Sequence, residues 1–415
     1  MMKNVRNWQM DLDTRSIPAT WMRAGTSKGL FLRGEHLPRS TKDWEPILLA
    51  MMGSSNGDPR QLDGVGGGTS TTSKIAVITR SERPGIDLDY TFVQVDFARG
   101  RVDMSGNCGN MASGTGLFAL YQGLVRPEPH QNELAVSVFA VNTGQTLMVS
   151  VNLSEVCHGP SNQSQINYGR GPRVYPVKVS FLAPGGTMTG KLLPTDEVQT
   201  TLAFQCPETG LTRAVKTTLI DCANPFVLVD SRSLPAEYHL DGPTGKTAKE
   251  LIETIRRAAM VRMGLHTPTD NKASRIPRGT PKIVVLATPS GSTQISDALG
   301  PMADVKVAAY SMGNLHPTLQ LTGAICLGAA LSIPGTVASE ILMTGEATYP
   351  SPSSESGSDF PAPQFSETKR WCIQHPTGFI ESEITACHSE KGTPVIEQGS
   401  VYCTARKLFE GTVFY

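Results

Sequence analysis

Neither sign of charge predominates in this 415-residue chain, where 37 Lys and Arg offset 37 Asp and Glu. At zero formal net charge, no global field recruits nucleic acid or an anionic membrane surface. A local basic pocket for a small anion stays open. No stretch reaches the roughly 18 uninterrupted apolar residues of a membrane-spanning helix. Paired cysteines are missing as well. The eight cysteines stand at positions 108, 157, 206, 222, 326, 372, 387 and 403, with no CxxC pair and no Cys/His metal spacing. That pattern points to free thiols in a reduced compartment and to no bound metal. The opening MMKNVRNWQMDLDTR is polar and lacks the apolar core of a signal peptide, so a soluble cytoplasmic protein is expected. There is no P-loop, no GxGxxG opening a helix after a strand, no GxSxG elbow, no calcium loop and no HExxH helix.

What the chain does have is a strand-rich, loop-rich composition, with 40 Gly, 29 Pro and 39% hydrophobic residues. Its length admits two or three domains. Residues 17–32 read as two strands around the turn Arg23-Ala24-Gly25-Thr26-Ser27-Lys28-Gly29, and 44–52 as a short helix. A glycine-dense loop, residues 63–74, feeds a strand over 75–79; 90–96 alternates apolar and polar as a half-buried strand does. Further strands are expected at 134–141, 146–153, 177–181, 215–220, 226–230 and 282–287, with an amphipathic helix over 247–263. Residues 350–364 are polar and of low complexity, and read as a surface insertion.

A weak internal duplication stands out. Cys108-Gly109-Asn110 precedes a run (MASGTGLFAL) that is small or apolar nearly all round. Met312-Gly313-Asn314 precedes another such run, LTGAICLGAAL, within a helix expected from Thr318 to about Leu331. Helices without a polar face are buried on all sides. Two of them, each among strands, suggest two domains with a sheet wrapped around a central helix and a cleft at the helix starts. Chance similarity of two Gly-Asn pairs is the plainer reading.

Cys108 is the leading chemical candidate. A thiol at a helix start meets free backbone N–H groups and the positive end of the helix dipole, the setting of cysteine bases and nucleophiles. The alternative is a buried structural cysteine. Lys74 follows the glycine-rich loop, and a lysine at a desolvated pocket can serve as a base; otherwise it is an exposed lysine opening a strand. His316 and His375 could bind a carboxylate, transfer a proton, or be structural. Asn224, in Cys222-Ala223-Asn224-Pro225-Phe226, could bind a carboxylate or shape an Asn-Pro turn.

Five segments in order, IPATWMRAGTSKGLFL, DGVGGGTSTTSKIAVI, SGNCGNMASGTGLFAL, CANPFVLVD and TARKLFEGTVFY, resemble the PrpF family. That family includes 2-methylaconitate, 3-methylitaconate and aconitate Δ-isomerases. The resemblance runs from Ile17 to Phe414. It implies an α+β, diaminopimelate epimerase-like fold: two similar domains, each a mostly antiparallel sheet rolled around a buried central helix. The expected domains are 17–185, completed by strands in 398–415, and 186–397. It also implies Lys74 and Cys108 as a catalytic pair and no cofactor. The substrate-binding set it implies is Thr26, Ser27, Thr69, Ser70, Asn107, Gly109, Asn110, Met111, Asn224, Arg278, Ser311, Met312, Gly313, His316 and His375. Arg23 and Arg275 are further carboxylate candidates. Epimerases of this fold set two cysteines face to face. Met312 aligns with the second, so a 1,3-proton shift in an unsaturated di- or tricarboxylate, aconitate or 2-methylaconitate first, is expected in place of epimerisation. The expected partner is a small polycarboxylate, with a homodimer admissible. The rivals are a racemase or epimerase, an isomerase of a larger secondary-metabolite acid, and an accessory protein for an aconitase-like dehydratase.

Overall fold

The computed structural model describes residues 15–154, 174–266, 277–289, 303–344, 366–388 and 394–415. The expected insertion 350–364, Cys157 and Arg275 lie outside the described residues.

The first half opens with an antiparallel hairpin, β1 (Ser16–Ala24) and β2 (Ser27–Arg33), turned at Gly25 with φ 53°. Helix α1 (Trp44–Met52) carries the chain over to β3 (Lys74–Arg80), which lies parallel to β2. Antiparallel β4 (Leu88–Asp96) and the short β5 (Arg101–Asp103) follow. Two short helices, α2 (Gly109–Ala112) and α3 (Thr115–Tyr121), then lead to β6 (Glu133–Ala140), parallel to β4. β7 (Gln145–Asn152) and β8 (Tyr175–Leu182) complete an antiparallel meander.

The second half repeats this order. After β9 (Thr200–Gln205), the hairpin β10 (Thr212–Cys222) and β11 (Asn224–Asp230) is followed by α4 (Ala236–Asp241) and α5 (Lys246–Arg262). β12 (Lys282–Ala287) returns parallel to β11. Antiparallel β13 (Val305–Ser311), short β14 (Asn314–Leu315) and helices α6 (Leu321–Leu331) and α7 (Val337–Thr344) come next. β15 (Ser366–His375) lies parallel to β13, and β16 (Gly378–His388) and β17 (Pro394–Phe414) are antiparallel to their neighbours. The duplication that the sequence only hinted at is therefore complete in the pairing order: hairpin, parallel crossover, antiparallel strand, ribbon, buried helix, parallel return, meander.

Strand β17 belongs to both halves. Its start pairs with β16, Gln398–Ala405 pairs with β8, and Ala405–Phe414 pairs with β1. The last two pairings close the first half into a ring, β1-β2-β3-β4-β6-β7-β8-β17. We propose that the halves divide near residue 185, with 398–415 returned to the first.

The core follows from composition. All eleven residues of α6 are buried, as are Thr115, Gly116, Leu117, Phe118 and Ala119 of α3. Small residues let the surrounding strands approach. One apolar cluster runs through both halves around α3 and α6, and separate clusters cover the outer helices α1 and α5.

Two boundaries differ from expectation. The run after Cys108 is not one helix but two, because Ser113 Oγ donates to Asn110 O (2.7 Å) and Thr115 Oγ1 to Ala112 O (2.7 Å) at the break. Such local hydroxyl bonds compete with a continuous helical ladder. The second helix starts at Leu321 rather than near Thr318, because Gln320 keeps an extended backbone (ψ 147°).

Gly399 lets β17 cross α6: a Cβ there falls 2.5 Å from Ile325 Cγ2 and 3.1 Å from its Cδ1. Gly399→Ala is expected to cost about 1–3 kcal/mol through overpacking, read as a lower urea midpoint at unchanged m-value.

Candidate active site

The two halves meet around a pocket of about 540 Å³ including its open mouth. The first half contributes Ser27, Lys74, Phe92, Gln94, Asp103, Asn107, Cys108, Gly109 and Asn110. The second contributes Lys282, Ser311, Met312, His316, Gln320 and Thr322.

Lys74 is the first residue of β3 and is buried. The glycine-rich loop before it is folded around the buried Gln61, whose Oε1 accepts from Gly68 N (2.8 Å) and Ser73 Oγ (2.6 Å). The loop's hydroxyls satisfy one another: Thr69 Oγ1 lies 3.0 Å from Thr71 Oγ1 and 2.7 Å from Thr72 Oγ1. The loop thus turns the chain and delivers Lys74 inward, while Thr69 and Ser70 stay outside the lining. Lys74 Nζ donates to Gln94 Oε1, and Gln94 Nε2 donates to Ser73 O (3.0 Å), which fixes the amide with its oxygen towards the lysine. Nζ also lies 5.0 Å from the Phe92 ring centroid. Burial holds the Lys74 ammonium below its ordinary pKa, and a charged Cys108 acts against that shift.

Cys108 caps α2 in an extended conformation. Its N–H donates to Asn107 Oδ1 (2.7 Å), and its carbonyl accepts from Tyr90 OH (3.1 Å). Asn107 is gripped in turn by Asn224: Asn107 N donates to Asn224 Oδ1 (3.1 Å), and Asn224 Nδ2 donates to Asn107 O (2.8 Å) and Thr322 Oγ1 (3.2 Å). Asn224 opens β11 just after Ala223, which turns at φ 61°. It therefore latches the Cys108 loop to the start of α6. Gly109 is required at this junction, since a Cβ there falls 2.9 Å from Leu321 Cβ. Asn110 Oδ1 accepts from Thr26 N (3.1 Å), tying α2 to the β1–β2 turn.

Lys282 and Gln320 escaped the sequence reading. Lys282 opens β12 as Lys74 opens β3. Burial lowers its pKa to about 8, Lys74 pushes the same way, and a charged Cys108 opposes. His316 is buried and its pKa falls to about 4; burial dominates, the bond to Thr318 opposes, and the two lysines add to the fall. The imidazole is neutral at neutral pH. Its Nδ1 lies 2.7 Å from Thr318 O.

Several buried polar atoms of the lining have no protein partner: Ser27 Oγ, Asn107 Nδ2 and both amide atoms of Gln320. Buried polar groups are almost always satisfied, so this cluster marks a place for a polar ligand. Among the described residues, no group of three or more His, Cys, Asp or Glu could hold a metal ion. No described helix is long and apolar enough to cross a membrane.

The other expected residues are distributed as follows. Ser27, Asn107, Gly109, Asn110, Ser311, Met312 and His316 line the pocket with the pair. Thr26 is exposed at the rim, its Oγ1 accepting from Thr318 Oγ1 (3.1 Å). Met111 is fully buried beneath the lining. Asn224 acts through Asn107 rather than facing the pocket. Arg278 packs over Gly313 and lines a smaller neighbouring cavity. His375 is half-buried outside the lining, with Thr377 N donating to its Nδ1 (3.3 Å). Arg23 spans to Thr404 on β17 (2.9 Å to Oγ1). Met312 is not the counterpart of Cys108. With Gly313 it forms the tight β13–β14 turn, at φ 53° and 79°.

A family model described as "PrpF protein" matches residues 14–358. The chain belongs to the PrpF family. The (4E)-oxalomesaconate Delta-isomerase of Novosphingobium sp. (strain KA1) is 30% identical over 97% of this chain and 99% of its own. The 3-methylitaconate isomerase of Eubacterium barkeri is 30% identical over 97% and 98%. The 2-methyl-aconitate isomerase of Shewanella oneidensis is 32% identical over 77% and 82%. A solved methylitaconate-delta-isomerase matches with a TM-score of 0.65 at 29% identity, covering 97% of this chain and 96% of that one. A hydroxyproline epimerase from Agrobacterium vitis shares the fold alone, with a TM-score of 0.52 at 11% identity over 96% and 93%. This PrpF protein is an isomerase with the diaminopimelate epimerase-like fold.

Removing the Asn224 latch strands three buried partners. Asn224→Ala is expected to cost about 1–3 kcal/mol of stability and to lower kcat/KM, checked by calorimetry and steady-state kinetics on the same preparation.

Proposed function

We propose that this PrpF protein is a cofactor-independent isomerase that moves a double bond by a 1,3-proton shift in an unsaturated di- or tricarboxylate. The observation that carries the reading is the joint burial of Lys74 and Cys108 in a pocket where Ser27 Oγ, Asn107 Nδ2 and the Gln320 amide lack partners. The relatives' names supply the substrate class, and 2-methylaconitate and 3-methylitaconate stand ahead of aconitate because named relatives act on them. The cytoplasm is part of the same proposal.

In the proposed cycle, the neutral Lys74 amine takes a proton from the carbon next to a carboxylate. The electron pair of that C–H bond spreads through the double bond into the carboxylate as a dienolate. The Cys108 thiol delivers its proton two carbons away, and the double bond settles in its new place. Transfer of a proton from the Lys74 ammonium to the Cys108 thiolate restores both groups, so nothing is gained or lost overall. Burial supports the first step, because it shifts Lys74 towards the uncharged amine. Ser27 Oγ and Asn107 Nδ2, buried and without partners, supply donors for the developing charge.

Racemisation needs an acid and a base on opposite faces of one carbon. The helix-start position of the second half holds the amide of Gln320, which moves no proton at neutral pH. A pure accessory role leaves the unpartnered pocket groups without a purpose.

Proton NMR in deuterated buffer with 2-methylaconitate, 3-methylitaconate, cis-aconitate and trans-aconitate tests the proposal. At least one acid is expected to shift its double bond and gain deuterium at the receiving carbon. Absence of any shift with all four overturns the reading. Lys74→Ala and Cys108→Ser are each expected to slow turnover by about 10²-fold or more with unchanged circular dichroism; near-normal turnover in either removes that residue from the mechanism.

A further inference from the structure

The repeat can be laid over itself residue by residue near the pocket. β2 opens at Ser27 and β11 at Asn224. Phe226, two residues into β11, pairs with Lys282; Leu30 pairs with Ile75, which sets Lys74 beside Gly29, two residues into β2. Lys282 is thus the register equivalent of Lys74. Cys108 caps α2 five residues after β5 ends at Asp103, and Gln320 caps α6 five residues after β14 ends at Leu315. Gln320 is thus the equivalent of Cys108. One pocket contains two copies of a single constellation, Lys74 with Cys108 and Lys282 with Gln320.

The second copy has different chemistry. Gln320 is 7% exposed, neither of its amide atoms has a partner, and its side chain makes no bond to the helix it caps. An amide that neither caps nor pairs is costly to bury unless a ligand completes it. Lys282 is half-buried, and among the described residues it forms no ion pair. Its contacts are Asn107 O at 3.5 Å and the Phe226 ring at 5.6 Å, and the Asp103 carboxylate of the same lining acts on it from further off. An ammonium drawn partly out of water gains from an anion placed beside it. Helix α6 runs eleven residues from this point, so its first N–H groups face the same place.

We propose that Lys282 and Gln320 form a seat for one carboxylate of the substrate and take no part in moving the proton. This rests on the isomerase reading above and narrows it. One carboxylate sits on Lys282 and Gln320 while another, next to the reacting carbon, lies towards Lys74 and Cys108. The substrate therefore carries at least two carboxylates, and an unsaturated monocarboxylic acid lacks the group that anchors it.

Propane-1,2,3-tricarboxylate is a suitable probe, because it has the carboxylates and no double bond to move. Calorimetric titration into the wild type, Lys282→Met, Lys282→Arg, Gln320→Ala and Gln320→Glu tests the seat. Gln320→Ala and Lys282→Met are each expected to weaken binding roughly 10-fold or more. Gln320→Glu, which adds a like charge, weakens it further, and Lys282→Arg restores it. Lys282 carries its charge below its pKa, so wild-type affinity falls as pH rises through about 8. That fall is absent in Lys282→Arg, a readout that a merely structural lysine does not move. Wild-type affinity in both Gln320→Ala and Lys282→Met overturns the proposal, and so does a wild type that does not bind the probe. Turnover of the unsaturated acids is scored separately. A wild type that isomerises while both variants keep its affinity leaves the function standing and removes the seat. Lost binding in the variants of a protein that isomerises nothing does the reverse.

Discussion

One buried side chain, Asn224, makes the two halves a single site. Its amide holds both backbone groups of Asn107 and reaches Thr322 beside the start of α6. Each bond is modest by itself, yet a buried donor or acceptor left without its partner carries a full desolvation penalty. The cysteine loop is therefore not free to choose its position relative to α6. Gly109 adds the steric half of the constraint, because only a residue without Cβ lets α2 lie against Leu321. The shape of the pocket depends on that fixed approach.

Within this frame, the two copies of the repeat carry different side chains at equivalent places. The two copies share backbone register, strand order and helix starts, so they place equivalent side chains on opposite walls of one pocket. What differs is the side chain at the helix start: a thiol on one wall, an amide on the other. The lysines differ in surroundings more than in position. Lys74 is bonded to the side-chain amide of Gln94, whereas Lys282 reaches only the backbone oxygen of Asn107, at 3.5 Å. In the roles proposed above, the same pair of backbone addresses serves proton transfer in one half and charge recognition in the other.

Much of this was legible in the sequence because the signals were local. The helix at 44–52, the strand at 282–287 and the two apolar helices came from composition and periodicity. Lys74 and Cys108 stand out singly, from glycine-rich loops beside a strand and a helix, whereas their pairing is what the resemblance to the PrpF family implies. What escaped was non-local. Lys282 opens an ordinary-looking strand, and nothing near it in sequence announces a pocket. Gln320 is hidden because the visible Gly-Asn match aligns Met312 with Cys108, eight residues early. In three dimensions that Gly-Asn pair makes a hairpin turn, and the helix starts later. Counting from the short strands β5 and β14 recovers the equivalence, but those strands are too brief to read from periodicity. The loop at Thr69 and Ser70 differs in the opposite way: the resemblance implies ligand contacts there, yet the Thr69 hydroxyl bonds to those of Thr71 and Thr72, and neither residue lines the pocket.

The shared strand β17 also bears on how the molecule comes to exist. Ser16 pairs with Phe414, so the first ring is closed by residues near the opposite end of the described chain. As the polypeptide emerges in order during synthesis, β1 and β8 each present a bare edge until the last strand arrives. Pairings of such sequence separation are slow to form, and unpaired edges are templates for association with other chains. The first half, which holds both proposed proton-transfer groups, is thus made before the second and finished after it, and completion of its barrel waits on a segment that follows the whole of the second half.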